Sequence, residues 1–184
     1  MEHVQWARDL ARRLLEEPLP RRWAHSQGVA EQAESLRAIT GQDADLLTAA
    51  AWLHDIGYSP ALVKTGFHPL DGARYLRDVE QADERLCSLV AHHSCALIEA
   101  DERGLADELS REFALQPKEL RQALIYCDMT TGPDGGHLPV EGRLAEIKKR
   151  YGPADVVFRF IERAEPDLLD AVHTIEQQQA NRPT

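Results

Sequence analysis

A chain of 184 residues, 43% hydrophobic and 28% charged, can bury one sizeable core and is too short for two comfortable ones. Its formal net charge of -10 has the wrong sign for a protein that neutralises nucleic-acid phosphates with Lys and Arg, so stable nucleic-acid binding is not expected. Cys87, Cys95 and Cys127 are odd in number and form no Cys-x-x-Cys, which argues against a disulfide framework or a thiolate zinc site.

The N-terminal residues Met1-Glu2-His3-Val4-Gln5-Trp6 lack the basic start and apolar run of a signal peptide. No apolar stretch approaches the ~20 residues of a membrane span, so a cytoplasmic protein without membrane attachment is expected. Strand alternation and hairpin signals are absent, whereas helical periodicity recurs throughout. The first helix is predicted over Val4 to Glu16, stopping before Pro18 and Pro20. The second covers Arg22 to Ile39, with Val29, Ala33 and Leu36 on its apolar side and Gly41 beyond its end. The third starts at Asp43 as N-cap and carries Leu46, Leu47, Ala50 and Leu53 up to Gly57.

Tyr58 to Phe67 reads as a loop, broken by Pro60 and Gly66. Helices follow over Pro69 to Val79, over Ala82 to His93, and from Pro117 to Met129. Thr131 to Pro139 is too rich in turn residues to be helical. Helices over Val140 to Arg150 and Asp155 to Gln178 close the chain, with a break expected at Pro166 and a frayed tail after Gln177. The last two either complete the core or form a dimer surface. The fold class read from this pattern is all-α, a single compact helical domain over 1–184.

Chemistry enters where polar residues fall on apolar stripes. His25 precedes Val29 by four residues and Ala33 by eight; His54 follows Ala50 by four and Leu47 by seven. His93 follows Leu89 by four and Leu86 by seven, while neighbouring His92 points about 100° away. Asp128 follows Leu124 by four and Leu120 by eight. A buried unpaired carboxylate costs several kcal/mol, and a metal ion removes that cost for a whole cluster of ligands. Mixed imidazole and carboxylate ligands suit Fe, Mn, Co, Ni or Zn better than Mg alone. His54 and Asp55 are adjacent, yet at the last turn before Gly57 both can reach an ion lying beyond the helix end.

The pattern of His25, then His54-Asp55, then Asp128 resembles the H…HD…D signature of the HD-domain superfamily of metal-dependent phosphohydrolases. His54-Asp55-Ile56-Gly57 reproduces its H-D-I-G form, and the match spans about residues 20 to 130. Phe67-His68-Pro69-Leu70-Asp71-Gly72-Ala73 and Val90-Ala91-His92-His93-Ser94 resemble segments found in members with two metals. The resemblance implies a first ion on His25, His54, Asp55 and Asp128, a bridging Asp55, and a second ion on His68 with His93 or His92. It implies attack by a metal-bound hydroxide on a phosphate ester or anhydride of a small phosphorylated molecule, most simply a nucleotide.

Lys64, in the loop after His54-Asp55, is the candidate for stabilising charge on the phosphate, with Arg74 and the hydroxyls of Thr130 and Thr131 as weaker ones. For His68 the competing role is capping the helix that follows it. Two other functions fit the same ligands: a di-iron oxygenase of HD type, and a non-catalytic sensor of metal or nucleotide.

Overall fold

The computed structural model describes residues 2–181, and it is helical, as the periodicity predicts. Helix α1 (Glu2–Leu15) buries Ala7, Leu10, Ala11 and Leu14, spaced three and four apart. Helix α2 (Pro20–Ser35) opens on Pro20, whose missing N–H costs nothing in a first turn. The single helix expected to Ile39 is in fact two. Fully buried Leu36 donates its N–H to Ala33 O, an i to i−3 bond that breaks the α ladder, and α3 (Arg37–Thr40) follows.

Helix α4 (Ala44–Leu53) is the hub, packed by α1 and α2 and by two later helices, α6 (Glu84–Ala91) and α9 (Lys118–Met129). Its buried run Ala49, Ala50 and Ala51 favours helix and lets these neighbours approach closely. Asp43 stands at its N-cap position as expected, but its carboxylate accepts from Arg85 Nη1 at 3.0 Å rather than from the helix N–H groups. A 3-10 turn (Ile56–Tyr58) and a loop lead to α5 (His68–Asp78). Gln81 has φ of 51°, and Asp83 accepts from the N–H groups of Arg85 and Leu86, so α6 starts two residues later than predicted.

The expected run to His93 stops at Ala91. A 3-10 turn (His93–Cys95) takes over, with Ser94 and Cys95 in left-handed conformation. Two short helices absent from the sequence reading come next, α7 (Ala96–Glu102) and α8 (Ala106–Glu112), parted by Gly104 at φ 72°. After α9 the turn-rich loop holds an isolated bridge between Thr131 and His137; no strand occurs among the described residues.

Helices α10 (Val140–Tyr151) and α11 (Val156–Ala180) follow. The break expected at Pro166 does not occur. Buried Phe160, Ile161 and Ala164 before it, and Leu168, Ala171 and Val172 after it, hold one continuous face, which packs against α7, α9 and α10. The tail expected to fray after Gln177 is helical to Ala180, and residues 182–184 lie outside the described residues. No described helix is long and apolar enough to cross a membrane.

Candidate metal centre

Five helix ends supply the polar cluster. His25 lies in the second turn of α2, and His68 is the first residue of α5. His54 is the C-cap of α4, His93 follows the C-cap of α6, and Asp128 is the penultimate residue of α9. Three helix C-termini, each with negative partial charge, therefore meet at one place, which favours a cation there. The six residues fall into two groups: His25, His54 and Asp128; then Asp55, His68 and His93, with ligand atoms within 4.8 Å of one another in each.

Hydrogen bonds fix the tautomers. A carbonyl only accepts, so Nδ1–H of His25 donates to Gly132 O (3.0 Å), that of His54 to Ala51 O (2.8 Å) and that of His93 to Val90 O (2.7 Å). In each neutral ring Nε2 then carries a lone pair. His25 Nε2 faces Asp128 Oδ1 at 3.0 Å, and His68 Nε2 faces His93 Nε2 at 3.1 Å. His54 Nε2 is buried without any hydrogen-bond partner, 3.5 Å from Asp55 Oδ2 and 4.0 Å from Asp128 Oδ1. The lone pairs of His25 and Asp128, acceptor against acceptor, need a proton or a metal between them, and this donor set fits a transition-metal ion. Asp55 has one oxygen toward each group, Oδ2 toward His54 and Oδ1 toward His68 at 3.4 Å.

Burial lowers the pKa of His54 and of His68, against the opposing pull of Asp55, so both rings stay neutral and able to ligate. Burial alone would raise the Asp55 carboxyl, but Arg22, aided by the histidines around it, holds it well below the usual carboxylate range. Asp128 is raised by burial and lowered more by the close approach of His25 and by His54, ending below its ordinary value.

A second layer orients the cluster. Arg22 Nη1 donates to Asp55 Oδ2 at 2.6 Å, and its guanidinium lies 3.9 Å above the Tyr58 ring. Tyr58 in turn stacks on His68 with centroids 3.9 Å apart. The Ser94 hydroxyl donates to Asp128 Oδ2. Buried Asp71 accepts from the N–H groups of Lys64, Thr65 and Gly66, tying down the loop that delivers His68. A cavity of about 80 Å³ opens over Asp55, His68, His93 and Asp128. Met129, Ile147, Phe160 and Ile161 give it an apolar wall, and Arg22, Arg143 and Arg150 a cationic one.

Other candidates lie elsewhere. His92 is buried, with Nε2–H on Phe113 O at 2.8 Å rather than among the six. Lys64 is exposed and does not line the cavity. Arg74 is bonded to Glu108 and Glu112, and the hydroxyls of Thr130 and Thr131 donate to the carbonyls of Tyr126 and Cys127 at 2.7 Å. Arg22, Ser94 and Arg143 were given no role by sequence, whereas Arg150 belongs to the basic run Lys148-Lys149-Arg150, a small-anion candidate read otherwise as a solvated helix face. Arg22 offered a signal too, lying three residues before His25 and hence on the same helix face.

A family model described as HD domain matches residues 22–131, well over half of the chain. Neither the curated proteins nor the solved structures searched contain a match.

Proposed function

Because the chain belongs to the HD-domain family, we propose that it is a metal-dependent phosphohydrolase cleaving a phosphate ester or anhydride of a nucleotide or other small phosphorylated molecule. The observation that carries this reading is the buried convergence of imidazole lone pairs on two carboxylates, with His54 Nε2 left without a protein partner. His25, His54 and Asp128 would hold one ion, His68 and His93 a second, and Asp55 would bridge. Divalent ions bound there lower the pKa of a coordinated water and offset charge on phosphoryl oxygens.

The chain's own residues do the rest. Carbonyls on the far sides of His25, His54 and His93 keep the protons on Nδ1, so Nε2 remains a donor of its lone pair. Ser94 and Arg22 hold the two carboxylates in register. The Arg22 side chain is 22% exposed and lines the cavity, where its free edge suits a phosphate oxygen better than the remote ammonium of Lys64. The apolar wall supports an organic group on the substrate. Helices α10 and α11 supply that wall, so we read them as part of the same domain.

Elemental analysis of protein purified without chelator, beside Asp55→Ala, tests the proposal together with phosphate release under Mn or Co. About two ions per chain, falling sharply in the variant, are expected. No metal after reconstitution would overturn the reading, and iron with oxygen-dependent turnover would replace hydrolysis by oxygenation.

A further inference from the structure

Arg22, Arg143 and Arg150 separate the metal-facing cavity from a second one of about 180 Å³, closed by Arg21, His25 and Pro133. Four guanidiniums thus line one small hollow in a chain of net charge -10. The carboxylates among them are fewer. Arg21 Nε meets Asp134 at 3.0 Å, and Arg22 Nη1 meets Asp55 at 2.6 Å. Glu146 alone takes both Arg143 Nη1 at 2.8 Å and Arg150 Nε at 2.9 Å.

Arg143 is the telling residue. It is only 5% exposed, yet it lines both cavities, and its carboxylate partner Glu146 is shared with Arg150. A nearly buried guanidinium with a shared carboxylate favours a further acceptor at the cavity, and a metal ion cannot be that partner. Planar guanidinium forks match the paired oxygens of a phosphoryl group, and 180 Å³ is room for one with a few waters.

We propose that this cavity is an oxyanion subsite for a second phosphoryl group of the substrate, which makes the substrate an anhydride or a bisphosphate. The assignment rests on the phosphohydrolase reading for the first phosphoryl group; the capture of an oxyanion by the arginines does not. Arg22, Arg143 and Arg150 line both cavities, so a phosphoryl group in either one meets the same three guanidiniums.

Calorimetric titration tests it on wild type, Arg143→Gln, and the double variant Arg21→Ala/Arg150→Ala, whose residues are exposed and carry the test if Arg143→Gln fails to fold. In chelator-treated, desalted protein, saturable orthophosphate binding that weakens about tenfold or more in both variants is expected. In Mn-loaded protein, methylenediphosphonate should bind about tenfold tighter than methylphosphonate, a preference the variants lose. Orthophosphate binding equal in all three proteins would overturn the subsite. Two independent orthophosphates without a preference for the diphosphonate would make it a site for free phosphate and overturn the substrate assignment. Metal content, measured on the same samples, reports separately on the phosphohydrolase reading.

Discussion

At His92 and His93, two adjacent imidazoles are turned to different uses by the carbonyls they meet. Val90 O takes the Nδ1 proton of His93 and leaves Nε2 facing His68, whereas Phe113 O takes the Nε2 proton of His92. His93→Ala should therefore lower bound metal by about one ion per chain. His92→Ala should leave metal content unchanged and cost about 1–3 kcal/mol of stability through its lost hydrogen bond. Elemental analysis and urea unfolding of the two variants separate these outcomes. Much of this was legible: helical phase favoured His93 over His92, and apolar stripes pointed to His25, His54 and Asp128. What phase cannot show is which side chains from distant segments arrive at the same cavity. Lys64 was chosen for its closeness in sequence to Asp55, but the cations beside Asp55 and Asp128 come from Arg22, Arg143 and Arg150.

Between elements, the HD turn and α5 meet backbone to backbone at Gly57. A Cβ there would lie 2.0 Å from His68 O and 2.8 Å from Gly72 N, so only glycine allows this approach. Gly57→Ala should push α5 outward, weaken the site holding His68, and destabilise by at least about 1–3 kcal/mol. Gly136→Ala, with nothing within 4 Å of its Cβ, should stay within about 0.5 kcal/mol of wild type. Denaturant midpoints and metal titrations compare the two; equal behaviour would refute the role of close approach. The same scale explains the missed helices. Seven-residue segments such as α7 and α8 cannot hold a helix by propensity, and their sequence is dense in charge. They persist because Ala96, Ala100 and Leu109 are buried in the core, which only the assembled structure reveals. Pro166 misled for the same reason, since packing on both sides outweighs its local cost.

Across the whole molecule, the buried cluster ties stability to pH. His54 and His68 are held below their ordinary value near 6.5 by burial, so the unfolded chain takes up protons there before the folded one does. Stability of the metal-free protein should therefore fall as pH drops from about 7 to 5. Asp55 and Asp128, depressed in the folded state, add a further loss below about pH 4. Melting curves across this range check the trend, and a melting temperature flat from pH 7 to 5 would contradict it. Saturating metal should raise the melting temperature at neutral pH, since ions bind only the assembled cluster. One further contact bears on how such changes are seen. Trp23 on α2 and Trp52 on α4 stack with centroids 5.4 Å apart, each two residues from an imidazole of the cluster, His25 or His54. Two indoles so close should couple their electronic transitions, and a circular-dichroism couplet is the expected sign of it. Its amplitude is an optical ruler for the spacing of the two helices that carry the first pair of histidines.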